Sequence, residues 1–148
     1  MPIKLQAFEL GECWSVDIMS IGKLDYLVCM DRVSQYMMLA KLPNKMEKAC
    51  TKALKTWTTF FGIPTLMRSD GGPSFDCELF SEFCEQLGLV QVLTSTYNAP
   101  SNRQCERIVK EVRKMMEKSG ERDPEFIMKG LNNTERRGGL GTPKKNFI

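Results

Sequence analysis

The 148-residue sequence contains no histidine. Without an imidazole, a Cys/His zinc finger, a Ser-His-Asp or Cys-His nucleophile system and a histidine general base are all excluded. Any catalysis has to run on carboxylates, cysteine, lysine or a bound metal. Long apolar runs are lacking too: the longest, Tyr26 to Met30, is about five residues, far below the roughly 18 that a membrane-spanning helix needs. The six cysteines (Cys13, Cys29, Cys50, Cys77, Cys84 and Cys105) lie 7 to 27 residues apart, form no CxxC pair and follow no secretory signal. They are expected to be buried, reduced thiols of an intracellular protein. Internal repeats and low-complexity stretches are absent as well.

What is present fits one globular domain, with 42% hydrophobic and 26% charged residues. The net charge of +3 is unevenly spread. Residues 1 to 100 carry 9 Lys/Arg against 11 Asp/Glu, whereas residues 101 to 148 carry 12 against 7. A basic last third on a slightly acidic body is a weak hint of a phosphate-rich partner, and by itself is more often a solvated helix face.

Three short segments have strand character, Cys13 to Met19, Tyr26 to Asp31 and Tyr36 to Leu42, and the few residues between them permit only antiparallel hairpins. A helix follows, with Asn44 and Glu47 as a capping box and an apolar stripe Met46, Ala49, Cys50, Ala53, Leu54, Trp57, Phe60 and Phe61, ended by Gly62 and Pro64. Trp14, Trp57, Phe60 and Phe61 are expected in the core. Thr65 to Ser69 reads as a strand entering the turn Asp70-Gly71-Gly72-Pro73. A second helix is expected from about Asp76, acting as its cap, with Leu79, Phe80, Phe83, Cys84 and Leu87 facing inward. Leu89 to Leu93 is a fifth strand. Ser101 and Gln104 form a second capping box opening a long helix to about Ser119, and a last helix runs from about Asp123 to Asn132. Residues 1–11 read as an extended lead-in, 12–134 as the folded core and 135–148 as an irregular tail. The order βββαβαβ followed by helices predicts a mixed five-stranded α/β sheet, three strands antiparallel and two parallel, with helices on both faces: the ribonuclease H-like arrangement.

In such a sheet the first strand is central, and the strand ending at Asp70 lies parallel beside it. Asp17 interrupts the otherwise apolar first strand, while Asp70 falls at a strand's C-terminal end, where ligand sites of open α/β sheets gather. Two carboxylates brought side by side repel unless a cation joins them, and a hard divalent metal is the simplest resolution. Glu106 lies in the first turn of the long helix, just off the stripe Cys105, Ile108, Val109, Val112, Met115 and Met116. By position alone it reads more simply as a glutamate favoured by the helix dipole. Asp31 reads as a hairpin-turn residue.

The runs Cys13-Trp14-Ser15-Val16-Asp17, Phe61-Gly62-Ile63-Pro64, Arg68-Ser69-Asp70-Gly71-Gly72-Pro73-Ser74-Phe75 and Tyr97-Asn98-Ala99-Pro100-Ser101-Asn102-Arg103-Gln104-Cys105-Glu106-Arg107 together resemble the catalytic core of retroviral and gypsy-type retrotransposon integrases. That family carries an Asp, Asp, Glu triad with 35 residues between the last two, and here positions 71 to 105 fill the gap. Leu131-Asn132-Asn133-Thr134-Glu135-Arg136-Arg137 is similar to a degraded form of the family's Asn-Thr-Pro-Arg ending.

The resemblance implies a two-metal polynucleotidyl transferase for DNA 3′-end processing and strand transfer, with Asp17, Asp70 and Glu106 both catalytic and holding two Mg²⁺ (or Mn²⁺) ions. It implies double-stranded DNA as partner, contacted by Lys110, Arg113, Tyr97, Arg103, Arg107 and Lys114; Lys110 with Glu106 is also an ordinary i,i+4 pair. It further implies a homodimer, for which Met115, Met116 and Trp57 are candidate surfaces, and a nuclear location. The zinc-binding His/Cys domain that precedes such cores in full integrases has no counterpart in these residues, so the sequence is expected to be the core of a longer protein. Two departures stand out: the loop proline is shifted to Pro100, and Arg103 replaces a glycine, which stiffens the approach to the long helix. Arg103 and the degraded ending favour a second reading, a decayed or domesticated non-catalytic interaction domain. The intact triad favours the first.

Overall fold

A computed structural model describes residues 11–43, 47–70, 72, 74–94 and 103–133, without the side chains of residues 47, 94, 103 and 104. The expected lead-in up to residue 10, the last residue of the expected core (134), the whole expected tail (135–148) and Tyr97 lie outside the described residues. So do the capping residues Asn44 and Ser101 and the side chain of Arg103.

Five strands, β1 (Cys13–Ile21), β2 (Leu24–Asp31), β3 (Met37–Leu42), β4 (Leu66–Asp70) and β5 (Val90–Thr94), form one sheet in the order β3-β2-β1-β4-β5. The pairs β1/β2 and β2/β3 are antiparallel, whereas β1/β4 and β4/β5 are parallel. This is the expected mixed sheet with β1 at its centre. The first hairpin is tighter than expected. Ser20 and Asp25 pair across it, with the Ser20 hydroxyl donating to the Asp25 carboxylate, and Gly22 at φ 59° supplies the left-handed step of a two-residue turn.

Strand alternation assigns the two faces. Trp14, Val16, Leu27, Cys29, Met38 and Met67 point to one face, where α1 (Glu47–Phe61) contributes Cys50, Leu54 and Trp57 and α2 (Glu78–Leu87) contributes Phe80, Phe83 and Cys84. Met19, Tyr26, Val28, Met30, Met37 and Leu39 point to the other, where α3 (Arg103–Ser119) contributes Cys105, Ile108, Val112 and Met116 and α4 (Pro124–Asn132) contributes Ile127 and Leu131. Each fully buried large apolar side chain contributes about 1.5–3 kcal/mol, and both faces carry several. All six cysteines are free thiols, five of them buried and Cys77 half-buried.

Several helix details depart from the sequence reading. The α2 helix begins at Glu78 with Cys77 in the capping position and no side-chain cap, so Asp76 is not its cap; the Asp76 N–H is engaged instead by the Gly72 carbonyl. Leu79 is 38% exposed because the inner arc of α2 is filled by Phe80, Phe83 and Cys84, one residue step of 100° away. Phe60 is 77% exposed, since Phe61 takes the inward seat and packs on Tyr36 at 5.7 Å between ring centroids. Met116 and Trp57 are buried and Met115 is half-buried against Gly130, so these side chains offer no open association surface; among the described residues the exposed large apolar side chains are Val33, Phe60, Ile63, Leu79, Val90, Leu93 and Phe126, of which Phe60 is the most open. At α4 the structure supplies a cap, with the Asp123 carboxylate accepting from the Glu125 N–H and Pro124 in the first turn.

Two polar clamps fix the sheet's periphery. The buried Asp31 carboxylate accepts from the Gly11 N–H, the Ser34 N–H and the Ser34 hydroxyl, each at 2.8 Å, which locks the β2–β3 turn onto the entry to β1. Buried Asn132 receives the Met37 N–H and donates to the Met37 carbonyl, both at 2.9 Å, and thereby fastens the end of α4 to β3.

Candidate active site

The parallel register of β1 and β4 pairs Cys13 with Leu66 and Ser15 with Arg68. Two residues further along each strand come Asp17 and Asp70, at the same level and on the same face. That face is the one α3 covers, and Glu106 stands in the first turn of α3 beside the buried Cys105. Three elements far apart in sequence therefore direct their carboxylates to one end of the sheet.

Electrostatics records the meeting. Asp17 is half-buried, and its carboxyl is pushed up to about 6, first by desolvation and then by the negative charges of Asp70 and Glu106, against the lowering effect of the Ile18 N–H that donates to its Oδ1 at 2.8 Å. The thiol of Cys105 lies beneath the same three charges. Burial raises its pKa well above the ordinary value, and Asp17, Glu106 and Asp70 each add to the rise. Asp70 and Glu106 are exposed. The Asp70 Oδ1 accepts a hydrogen bond from the Gly72 N–H at 3.0 Å.

Among the described residues no three His, Cys, Asp or Glu side chains converge closely enough to cage an ion. The donor chemistry nevertheless suits a hard divalent cation: three carboxylates, one of them desolvated and destabilised by the other two, form a charge excess that a cation would relieve. Relief by protonation is the alternative open to the metal-free protein, and the upward push on the Asp17 carboxyl, chiefly from burial, lies in that direction.

Along α3, Arg107, Lys110 and Lys114 are exposed and Arg113 is half-buried. Lys110 and Arg113 follow Glu106 by four and seven residues, the spacing of one helix face. Tyr97 and the Arg103 side chain lie outside the described residues. The sequence reading assigned no role to Gly72, which carries the hydrogen bond to Asp70, or to Asn132. A turn glycine two residues after a strand-ending aspartate is a local signal for such a bond, whereas nothing local announces a contact 95 residues distant.

A family model described as "Integrase core domain" matches residues 9–99, a span that includes Asp17 and Asp70 and ends before Glu106. The Gag-Pol polyprotein of gibbon ape leukemia virus is 31% identical over 116 residues, covering 73% of this chain and 7% of that polyprotein. The chain thus spans a small part of the length of such relatives. Among solved structures, the catalytic core domain of BIV integrase superposes with a TM-score of 0.76 at 17% identity, covering 93% of each chain. The HTLV-2 integrase catalytic core domain, solved in complex with magnesium, gives a TM-score of 0.69 at 16% identity, covering 94% of this chain and 97% of the other. The sheet order, the flanking helices and the sequence match agree: this chain belongs to the integrase core domain family, in its retroviral form.

Proposed function

We propose that this chain is an integrase catalytic core that transfers polynucleotide ends, processing DNA 3′ ends and joining them to target DNA. The observation that carries this reading is the electrostatic convergence of Asp17, Asp70 and Glu106 at one end of the sheet. These three side chains would hold two Mg²⁺ (or Mn²⁺) ions, which when bound supply Lewis-acid stabilisation of charge at a DNA phosphodiester and activate a water or a 3′-hydroxyl without any imidazole. The chain's own residues do the rest. Asp17, fixed in the central strand and held by the Ile18 N–H, is the rigid member of the set. Asp70 and Glu106 reach toward it from a strand end and a helix start and remain open to solvent, and so to substrate. Lys110 and Arg113 would anchor phosphates beside the carboxylates, with Arg107 and Lys114 adding to the positive helix surface; Tyr97 and Arg103 belong to the same proposed DNA-contacting set.

Double-stranded DNA is the proposed substrate, the nucleus the proposed site of action and a homodimer the proposed assembly. The solution of the HTLV-2 core in both dimeric and trimeric forms supports self-association. Incubation with a branched DNA that mimics a strand-transfer product, in Mg²⁺ or Mn²⁺, tests the reading. Resealing by the wild type that disappears in Asp70→Asn is expected; no resealing, or resealing that survives the substitution, overturns it. The second reading, a non-catalytic interaction domain, is favoured by Arg103 standing where the family has glycine, and it predicts no response to divalent ions at all.

A further inference from the structure

Asp70 ends β4 with an exposed side chain, so packing cannot set its direction. Hydrogen bonding does. The Gly72 N–H donates to Asp70 Oδ1 at 3.0 Å, and a Cβ added to Gly72 would stand 3.0 Å from the same oxygen, forcing the carboxylate or the turn to give. The three atoms nearest to that added Cβ all belong to the Asp70 carboxyl group, so an alanine there acts first on this contact. Gly72 is held from behind, since its carbonyl accepts from the N–H groups of Phe75 at 3.1 Å and Asp76 at 2.8 Å. Phe75 is fixed twice. Its ring is buried edge-on against Phe80 at 5.2 Å, and its carbonyl accepts from Gln91 Nε2 at 2.7 Å.

Gln91 sits on β5, paired with Met67 of β4. Its side chain points to the α1/α2 face, away from the three carboxylates. It touches none of them, yet it closes a continuous path from the sheet's edge strand through Phe75 and Gly72 to the Asp70 oxygen. From this path we infer that Gln91 and Gly72 are positioning residues for Asp70: Gln91 ties the turn to the sheet, and Gly72 both orients the carboxylate and leaves it room. The inference rests on the reading of Asp70 as a metal ligand. Partners one step behind a ligand typically change metal affinity by roughly 10–100-fold when removed, and that is the effect a purely structural glutamine would not produce.

Two variants test opposite ends of the path. Gln91→Met keeps length and volume but removes the donor; Gly72→Ala keeps the N–H but adds a methyl against Oδ1. Mn²⁺ titration of the wild type and both variants by calorimetry gives the affinity, and amide hydrogen exchange in metal-free protein reports on the turn itself. Each variant is expected to bind Mn²⁺ about tenfold more weakly. Gln91→Met should also speed exchange at the Phe75 and Asp76 amides, and Gln91→Lys, which restores a donor able to reach the carbonyl, should recover most of the affinity. Wild-type Mn²⁺ affinity in both variants overturns the inference, even if both melt at lower temperature. A wild type that itself gives no Mn²⁺ response overturns the metal reading of Asp70 first and this inference with it.

Discussion

Without divalent ions at pH 7.5, Asp17→Asn should make the protein more stable. The Asp17 carboxyl titrates at about 6 in the folded chain against an ordinary 3.8. Between those values the folded state binds more protons than the unfolded one, so stability is highest below the lower value and falls as pH rises through about 4 to 6. Two pKa units correspond to about 3 kcal/mol as a ceiling. The site is partly open to solvent, so an effect of about 1–3 kcal/mol is expected. Asparagine cannot ionise, and its Oδ1 can still accept from the Ile18 N–H, so the variant escapes the penalty. At about 2–4 °C per kcal/mol for a chain of this size, its melting point should lie roughly 2–12 °C above wild type at pH 7.5. The gap should close near pH 4, where the wild-type carboxyl is protonated as well. Divalent ions should reverse the order, because ion at about 100 times its dissociation constant adds about 2.7 kcal/mol to a protein that binds it and nothing to one that does not. Differential scanning calorimetry at pH 4 and 7.5, with and without Mn²⁺, reads all of this. A variant that melts at or below wild type at pH 7.5 without metal, or a gain equal at both pH values, refutes the view of Asp17 as a strained carboxylate in a negative cluster.

Asp31→Ala removes an acceptor from two backbone N–H groups and a hydroxyl at a buried position, and urea unfolding should register a loss of about 2–4 kcal/mol. Asn132→Ala strands the Met37 N–H and carbonyl; a loss of about 2–3 kcal/mol is expected, with hydrogen exchange accelerating first in β3 and α4. Phe60→Lys should leave stability within about 0.5 kcal/mol, because the ring is already exposed, and should weaken self-association measured by sedimentation if that apolar surface is the dimer contact. Exchanging Lys110 or Arg113 for alanine should lower DNA affinity across all sequences and reduce the slope of log affinity against log salt by about one each, as measured by fluorescence anisotropy.

What could be read from the sequence divides along physical lines. Periodicity and punctuation are local, and they locate each strand and helix among the described residues to within a residue or two. Topology places Asp17 and Asp70 side by side, because short connections enforce hairpins and helical crossovers enforce parallel neighbours. The errors arose where a helical stripe is wider than the surface it covers: Leu79 and Phe60 are apolar and adjacent to true core positions, but only burial against a specific partner separates them. Asp76 does not cap α2 because it belongs to the turn that the Gly72 carbonyl closes, and the helix starts only after Cys77. Gly72 and Gln91 escaped notice for a related reason, since their roles exist only through contacts with residues whose positions the turn itself creates. The Asn132 clamp joins residues 95 apart, and composition says nothing about such a pairing.

That clamp has a bearing on how copies of the chain behave at high concentration. An outermost strand normally exposes a ladder of donors and acceptors to which any extended peptide can add, the first step of aggregation by sheet growth. On β3 the carboxamide of Asn132 imitates a peptide unit, presenting to Met37 the donor and acceptor that another strand would bring. The ladder is thus terminated at its first rung by a side chain that belongs to the same molecule. A newcomer would have to displace α4 before it could register against that strand, so the amide guards solubility as well as stability.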